Sequence, residues 1–504
     1  MPRTRRVLAC LTASAALIGG MIGGVSAAAA GETQTYLVLY KGLSVPADAA
    51  SRVSAAGGTL VAAYHAIGVA VARSDSATFR TSLKADNAIA EVASTAKSGV
   101  RLAPEEALSA EGAPAVPNAP ATDSDNLSGL QWDMVQVHTP EAHTITGGSS
   151  TVIVGDIDTG LDYTHPDLAP NVDFSRSVSC LGGVPNQAPS AWDDEAGHGT
   201  HTAGTIAAAA NGVGIVGVAP NVKIAGIRAG NAAGFFFPEA VVCAFMWAGS
   251  HGIDVTNNSY FADPWLFNCK NDPEQKAIFS AEQRAIKYAQ QHGTVVVASE
   301  GNQSDDLAHP TQDATSPDDT TPVVRDITNA CEVVPVEVPG VIGVTANGNL
   351  GLKSYYSSYG MGTADVVAPG GDRRFQLTTA APNGRVLSTY PAKFFAPSPL
   401  IIQDCSVSPC AVYAYLQGTS MAAPHVAGVA ALIRSQHPDM SPGSVESLIE
   451  RTADEIGCPA SYTSPVNYAA FPALDGGAPQ VCQGGIGYNS FNGHGQVNAL
   501  SAVK

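Results

Sequence analysis

The sequence of 504 residues predicts an α/β protein with a doubly wound, mostly parallel sheet flanked by helices, preceded by a small α+β domain. Three observations predict this class. From residue 127 onward, apolar strand-like runs alternate with helix-like segments, as a parallel sheet covered by helices requires. The segment before it has a shorter pattern of four strands and two helices. The composition, 45% hydrophobic and 14% charged, excludes a disordered chain.

The main domain is expected to span residues 127–504. Its predicted strands are buried apolar runs, which read STVIVGDID, NVKIAGIRA, GIDVTNNSY, TVVVASEGN and VIGVTANG. Its predicted helices read GTHTAGTIAAAA, PEAVVCAFMWAGSHG, AEQRAIKYAQQHG, SMAAPHVAGVAALIRSQHP and SPGSVESLIERTA. In sheets of this kind the functional groups gather at the carboxyl ends of the strands.

The N-terminal part is expected to hold three units. Residues 1–30 have a short basic region, an apolar stretch and small residues suited to cleavage, which predicts a secretory signal peptide and an extracellular protein. The alternative is an N-terminal membrane anchor. Residues 31–100 predict a ferredoxin-like domain, strand–helix–strand–strand–helix–strand. Residues 101–126, rich in Ala, Pro and polar residues, predict an exposed, cleavable linker.

Cysteine count and charge agree with an exported protein. Eight cysteines remain after Cys10, and an even number in an exported chain predicts disulfides. Cys405 and Cys410 are near enough in sequence to close a local loop, while the other pairings stay open. The net charge is -18, and the acidic excess lies entirely after residue 126. Such a surface repels nucleic acid and anionic lipid, so we expect neither as a partner after signal cleavage.

Three side chains far apart in the sequence suggest acyl-transfer chemistry. Asp158 follows a buried strand, His198 opens the run HGTHTAGT, and Ser420 lies in a Gly-Thr-Ser turn before a helix. A serine hydroxyl becomes a nucleophile when a neutral imidazole accepts its proton. A carboxylate on the other ring nitrogen fixes the tautomer of that imidazole and stabilises the imidazolium. A zinc site at the two histidines is disfavoured, because no further ligand cluster accompanies them.

The motifs DTG…HPDL, HGTHTAGT, VVVASEGN and GTSMAAPHVAG, in this order, resemble those of the subtilisin family (subtilases). The resemblance covers residue 127 to the C-terminus, and residues 35–100 are similar to the inhibitory propeptide of the family. It implies a secreted bacterial serine endopeptidase that hydrolyses proteins or peptides. It also implies a self-processing zymogen in which the propeptide is an intramolecular inhibitor. We expect a monomer.

The same resemblance assigns roles to further residues. His198 is the general base, and Asn302, which ends VVVASEGN, donates to the oxyanion together with the Ser420 backbone N–H. His201 is expected to pack in the core. Asp156 departs from the apolar residue usual at its position, and because strand side chains alternate it lies on the same face as Asp158. We expect a hydrogen-bonded carboxylate there, close enough to perturb the pKa values of the site.

The stretch ANGVGIVGVAP resembles the calcium loop of the family. The resemblance implies a structural Ca²⁺ held by the side chains of Asn211, Asp167 and Gln131 and by the backbone carbonyls of Val213 and Ile215. An all-oxygen set of this kind suits Ca²⁺. The alternative is an ordinary Gly-rich turn.

Substrate-binding residues are expected where the family pairs the substrate backbone as an added strand. These positions are Ser259, Tyr260, Phe261 and Phe235, with Glu300 in the wall of the S1 pocket. Phe261 departs from the small glycine often found there, which predicts a narrowed pocket. The aromatic residues suggest apolar walls.

Acidic residues and long loops also border this region. Asp193, Asp194 and Glu195 precede His198 and suit either a basic substrate side chain or a solvated acidic loop. The stretches 303–335 and 371–417 look longer than a minimal family member has, and they are expected to form surface loops at the rim of the cleft.

Two alternatives to a broad endopeptidase stay open. A processing peptidase that cuts one partner protein is favoured if Phe261 and the long loops restrict access. A non-catalytic binding protein on the same scaffold is disfavoured, because all four catalytic positions are intact.

Overall fold

The structure is a computed structural model that describes residues 32–96, 118–473 and 477–504. Within these ranges the chain forms a small N-terminal domain and a larger α/β domain. The signal peptide predicted for residues 1–30 and most of the predicted linker lie outside the described residues. Every helix in the described ranges is too short or too polar to cross a membrane.

The N-terminal domain is a four-stranded antiparallel sheet covered on one face by two helices. Its elements are β1 (Gln34–Tyr40), α1 (Ala49–Ala55), β2 (Thr59–Tyr64), β3 (Val69–Ser74), α2 (Phe79–Lys84) and β4 (Ile89–Ala96). The strands pair in the order β2-β3-β1-β4. Val53 of α1 and Phe79 of α2 pack onto Val38 and Val92 of the sheet, because both helices turn their apolar residues toward it. This is the ferredoxin-like arrangement that the sequence predicts.

The larger domain is built on a seven-stranded parallel sheet with the order β15-β14-β10-β8-β5-β7-β6. Its strands are β5 (Ile153–Asp158), β6 (Val178–Ser179), β7 (Lys223–Arg228), β8 (Val255–Asn258), β10 (Val295–Ser299), β14 (Val341–Asn347) and β15 (Val366–Pro369). The predicted α/β class is confirmed. Strand β5 lies between β7 and β8, so its carboxyl end is near the middle of the sheet edge.

Helices cover both faces of this sheet. They are α3 (Trp132–Gln136), α4 (Thr139–His143), α5 (Pro189–Trp192), α6 (His198–Ala207), α7 (Pro238–Ser250), α8 (Pro273–Gln291), α9 (Thr419–Gln436), α10 (Pro442–Thr452) and α11 (Ala499–Ala502). Helices α7 and α8 contribute to one apolar core, and α6, α9 and α10 contribute to the core on the opposite face. Both cores are continuous, as a doubly wound sheet requires.

Short strands extend the domain beyond the predicted pattern. They are β9 (Asn268–Cys269), β11 (Gln312–Asp313), β12 (Arg325–Asp326), β13 (Cys331–Glu332), β16 (Val386–Thr389), β17 (Ile401–Asp404), β18 (Ala411–Leu416), β19 (Gly484–Gly485) and β20 (Tyr488–Asn489). The stretch 371–417, expected to be a surface loop, contains the three-stranded antiparallel sheet β16-β18-β17 instead. Its strand β18 is buried at its start and leads directly to Ser420.

The N-terminal sheet packs with its other face against α7 and α8. Leu37, Val69 and Val71 belong to the same apolar core as Phe245 of α7. Arg284 of α8 donates to the carbonyls of Tyr40 and Ile67 at 3.1 and 3.0 Å, and the Tyr64 hydroxyl donates to the Gly183 carbonyl at 2.8 Å. A large apolar contact with polar bonds at its rim therefore holds the two domains together.

The predicted linker ends earlier than expected. Ala121 donates its backbone N–H to the His143 carbonyl at 3.0 Å, and Ala119 accepts from Gly147 at 2.7 Å. Asn126 donates its side-chain amide to Asp404 at 2.8 Å. Residues 118–126 are thus packed against the main domain, because their backbone polar groups find partners on its surface.

Four disulfides join the eight cysteines: Cys180–Cys243, Cys269–Cys331, Cys405–Cys410 and Cys458–Cys482. The one pairing predicted from the sequence, Cys405–Cys410, is among them.

Candidate active site

Asp158 is the last residue of β5, fully buried at the carboxyl edge of the sheet. Its Oδ1 accepts the backbone N–H of Thr159 at 2.7 Å and lies 2.7 Å from Nδ1 of His198. Burial of a carboxylate is costly unless a partner compensates its charge. The imidazole of His198 is that partner.

His198 begins α6, and the small residues of HGTHTAGT allow this helix to reach β5. A Cβ on Gly199 would lie 2.2 Å from the Gly160 carbonyl oxygen and 3.0 Å from Cβ of Asp158. No other residue type therefore fits between the helix and the strand. His201 is fully buried, and its Nε2 lies 3.0 Å from the Ala414 carbonyl oxygen, which confirms the prediction of a packed side chain.

Asp194 anchors the loop before His198. Its Oδ1 accepts the backbone N–H of Gly197 at 2.8 Å, and its Oδ2 accepts both the N–H and the hydroxyl of Thr200 at 2.9 and 2.7 Å. Its neighbours are also paired, Asp193 with Lys393 at 2.6 Å and Glu195 with Arg228 at 2.5 Å. The expectation of a solvated loop or a receptor for basic substrates is wrong for Asp194, which is fully buried.

Ser420 lies in the first turn of α9, where backbone N–H groups have no partner within the helix. Its hydroxyl donates to the Ser259 carbonyl at 3.1 Å, and the Ser259 hydroxyl donates back to the Ser420 carbonyl at 3.0 Å. That carbonyl is available because Pro424, four residues later, has no N–H to donate. The Ser420 hydroxyl must therefore rotate away from Ser259 before it can donate to His198.

Asn302 is oriented by the turn that precedes Ser420. Its Oδ1 accepts the backbone N–H and the hydroxyl of Thr419 at 2.9 and 3.1 Å. With Oδ1 engaged in this way, Nδ2 remains as the donor of the amide. Asn302, Ser420 and His198 line one cavity.

The electrostatics of His198 reflect three nearby carboxylates. Burial alone would lower the pKa of its imidazole, but the charge and the hydrogen bond of Asp158 raise this pKa to about 9, and Asp156 and Asp194 act in the same direction when they are ionised. Its side chain is 31% exposed, so one edge of the ring faces the cavity. The site thus stabilises the imidazolium, which is the form that a histidine takes after it has accepted a proton as a general base.

The cavity beside these residues has a volume of about 500 Å³. All five residues predicted to bind substrate line it: Phe235, Ser259, Tyr260, Phe261 and Glu300. Phe236, one of the aromatic residues expected to form apolar walls, also lines the cavity and stacks on Tyr260 with ring centroids 4.2 Å apart and planes at 4°. Both rings are buried and form a flat apolar wall.

Glu300, predicted to lie in the wall of the S1 pocket, lines the cavity and is buried. Its Oε1 is 2.9 Å from the point where a Cβ on Gly343 would lie, so its carboxyl turns toward β14. Burial, together with Glu337 and Asp365 nearby, raises the pKa of Glu300 well above its usual range. A buried carboxyl turned toward a neighbouring strand is poorly placed to pair with a basic substrate side chain.

The five predicted calcium-site residues lie together, with Asn211, Val213 and Ile215 on one loop and Gln131 and Asp167 packed against it. The amide oxygen of Gln131 accepts the N–H of Val216 at 3.0 Å, and the amide nitrogen of Gln131 donates to the Val216 carbonyl at 2.9 Å. Oδ1 of Asn211 accepts the N–H of Val213 at 2.9 Å. Asp167 is fully buried, and its Oδ2 accepts the N–H of Ile215 at 3.0 Å. Its Oδ1 has no donor among the described residues. A buried, unpaired carboxylate oxygen fits a cation ligand.

Three side chains around this loop were missed by sequence reasoning. Asp125 accepts the N–H of Asn211 at 2.9 Å, Asp404 accepts that of Gly214 at 2.8 Å, and Tyr413 donates to Asp167 at 2.7 Å. They come from the predicted linker and from the β16-β18-β17 sheet. No local motif marks them, because only the tertiary fold brings them to the loop.

Comparisons with known proteins show the family to which the chain is similar. The model of the subtilase family matches residues 149–494. The alkaline protease of Alkalihalobacillus alcalophilus is 30% identical over 368 residues, which cover 72% of this chain and 76% of that protein. Fervidolysin of Fervidobacterium pennivorans is 30% identical over 347 residues, or 67% of this chain, and the matched region spans 42% of fervidolysin.

Solved structures agree as well. The crystal structure of fervidolysin, described as a keratinolytic enzyme, is 25% identical with a TM-score of 0.62, covering 94% of this chain and 61% of that one. A lanthipeptide protease is 26% identical with a TM-score of 0.56, covering 77% of this chain and 99% of that one.

Proposed function

This chain belongs to the subtilase family of serine proteases, and from that membership we propose that it is a secreted serine endopeptidase made as a self-processing zymogen. The observation that carries the proposal is the 2.7 Å contact between Asp158 and His198 at the wall of a cavity that Ser420 and Asn302 also line. These four groups are the parts that serine acyl transfer needs.

In the proposed mechanism the Ser420 hydroxyl rotates from the Ser259 carbonyl toward His198. Nε2 of His198 accepts the hydroxyl proton as Oγ attacks the substrate carbonyl, and Asp158 stabilises the imidazolium through Nδ1. The imidazolium then protonates the leaving amine, which breaks the peptide bond and leaves an acyl group on Ser420. Water, deprotonated by His198, hydrolyses that ester and restores the enzyme.

The negative oxygen of the tetrahedral intermediate requires donors fixed in advance. The Ser420 backbone N–H and Nδ2 of Asn302 are proposed for this role, because the amide of Asn302 is already held by Thr419. In subtilisin, loss of the corresponding donor lowers kcat by about 10²–10³. The positive end of the α9 dipole, close to Ser420, adds to the stabilisation.

The N-terminal domain is proposed to be the inhibitory propeptide. Its sheet covers α7 and α8, and Arg284 and Tyr64 contribute the polar contacts described above. Because residues 118–126 pack on the catalytic domain, we place the processing cut before Asn118. The signal peptide of residues 1–30 directs secretion in this proposal, and the mature enzyme acts as a monomer on proteins or peptides.

A structural Ca²⁺ is proposed at the loop of residues 211–216. Asp167 and Asn211 would hold it, with the carbonyls of Val213 and Ile215 and the amide oxygen of Gln131. The bound cation would supply charge compensation for the unpaired Oδ1 of Asp167. Burial raises the pKa of Asp167 to about 7, so cation binding and deprotonation of this carboxyl are coupled.

The full chain and its Ser420→Ala variant test the proposal. We expect the wild type to lose its N-terminal domain by a cut before Asn118, seen by intact mass and N-terminal sequencing, and to hydrolyse casein with calcium at neutral to alkaline pH. The variant should remain full-length and inactive. A folded wild type that does neither would contradict the proposal and favour a non-catalytic binding protein.

A narrow processing peptidase is the second candidate. Phe261 and the Phe236–Tyr260 stack line the cavity, and one similar structure is that of a lanthipeptide protease. A wild type that processes itself, reacts with a fluorophosphonate and spares casein would favour this candidate.

A further inference from the structure

Asp156 lies two residues before Asp158 on β5 and is 2% exposed. Its carboxyl bonds side chains on both sides of the site. We propose that Asp156 is a positioning residue that couples the helix carrying His198 to the turn carrying Ser420. This inference rests on the proposed peptidase function.

The first half of the coupling reaches α6. Oδ2 of Asp156 lies 2.7 Å from the hydroxyl of Thr202, one helical turn after His198. The same hydroxyl lies 3.0 Å from the Gly199 carbonyl oxygen. Asp156 therefore holds the first turn of the helix on which the general base sits.

The second half reaches Ser420 through two side chains. Oδ1 of Asp156 accepts from Nδ2 of Asn257 at 2.8 Å, and the other hydrogen of that amide points to the Ser259 hydroxyl at 3.1 Å. The Ser259 hydroxyl in turn donates to the Ser420 carbonyl at 3.0 Å, the carbonyl that Pro424 leaves free. Asn257 and Ser259 thus connect Asp156 to the backbone of Ser420.

The geometry also determines which form of the carboxyl completes the network. Thr202 has a single hydroxyl hydrogen but two oxygen neighbours within 3.0 Å, Asp156 and the Gly199 carbonyl, while the His198 carbonyl lies farther away at 3.4 Å. Both contacts are hydrogen bonds only if Asp156 carries a proton and donates it to Thr202, which then donates to Gly199. A neutral Asp156 thus satisfies all the groups.

The charges around Asp156 favour the same form. Asp158 on its own strand and His198 on α6 are the titratable groups that face it, while the flanking strands present the uncharged Gly226 and Asn257. Burial and the charge of Asp158 raise the pKa of Asp156 well above its usual range. With Asp156 neutral, Asp158 remains the main carboxylate that stabilises the imidazolium of His198.

The test compares Asp156→Asn with Asp156→Val. Each variant is expressed as the full chain and assayed after self-processing. Asparagine keeps a donor for Thr202 and an acceptor for Asn257, so we expect kcat/KM within about threefold of wild type and an unchanged acid limb of its pH profile. Valine keeps the volume but removes both bonds, so we expect kcat to fall about tenfold with KM unchanged. Fluorophosphonate titration counts active sites, and thermal unfolding monitors the fold.

Thr202→Val is the second variant, for the case that Asp156→Val does not fold. It breaks the α6 half alone and should lower kcat by a few fold, and by a similar factor in the Asp156→Asn background, where the bond to Thr202 is expected to persist. The inference is overturned if the valine variants retain wild-type kcat, or if Asp156→Asn loses as much activity as Asp156→Val. A downward shift of the acid limb in Asp156→Asn also overturns it, since the carboxyl would then be ionised.

These outcomes separate the inference from the proposed function. A wild type that neither processes itself nor reacts with a fluorophosphonate contradicts both. An active wild type with an equally active Asp156→Val contradicts the inference alone.

Discussion

Replacing Asp158 by asparagine should move the titration of His198 across neutral pH. In the folded protein the pKa of His198 is raised from 6.5 to about 9, and Asp158 is the main cause of the increase. At about 1.36 kcal/mol per pH unit, this shift favours the imidazolium by roughly 3.4 kcal/mol. The ring is partly open to the cavity, so solvent screening makes this an upper bound.

Without the carboxylate, burial remains as the first influence on the imidazole and lowers its pKa below 6.5. The acid limb of kcat/KM should therefore lie between pH 6.5 and about 9 in the wild type and below pH 6.5 in Asp158→Asn. We also expect kcat to fall about 10⁴-fold, as in other serine proteases, because asparagine stabilises the wrong tautomer. The raised pKa stabilises the fold below pH 6.5, and this contribution is lost as the pH rises through about 9.

Two measurements check this prediction. The pH dependence of kcat/KM on a peptide p-nitroanilide gives the limb, and NMR titration of His198 in a Ser420→Ala background gives its pKa directly. Asp193→Asn is the control, because its carboxylate pairs with Lys393 on the same rim. An Asp158→Asn enzyme with an unchanged limb and kcat would refute the proposed partnership of Asp158 and His198.

Three further changes have defined outcomes. Phe261→Gly should raise kcat/KM about tenfold for substrates with large side chains near the cut and leave small ones unaffected, as measured with a peptide library; equal effects on both would contradict a steric role. Burial raises the pKa of Glu337 to about 8. The contribution of the Glu337 carboxyl to the stability of the fold is therefore complete below pH 4.5 and is lost as the pH rises through about 8. Glu337→Gln should raise Tm at pH 9 but not at pH 4, as measured by calorimetry. Chelation with EDTA should lower Tm by several degrees in the wild type and much less in Asp167→Asn, and equal losses would place the cation elsewhere.

The sequence predicts much of this fold because each central strand is a short apolar run that ends in a chemical motif. The run before Asp158 and the run before Asn302 both form strands of the parallel sheet. The helices that begin at His198 and Thr419 follow directly from the motifs that contain them. Local patterns of this kind are informative because the elements bury their apolar residues independently of distant detail.

The remaining features depend on contacts between distant segments. The sheet β16-β18-β17 arises from pairing within a stretch that has no strong alternation, and Asp194 becomes an anchor because the loop of Gly197 folds around it. The orientation of Glu300 could have been predicted from the sequence. Successive residues of an extended segment point to opposite sides, so Glu300 is expected to point away from the side that Ser299 and Gly301 face.

Reaction of the processed protein with a fluorophosphonate, followed by peptide mapping, tests the catalytic assignment most directly. We expect one adduct per chain, located on Ser420, and its loss in Ser420→Ala and at pH values where His198 is protonated. A folded, processed protein that forms no adduct, or forms it on another serine, would contradict the assignment of Ser420 as the nucleophile.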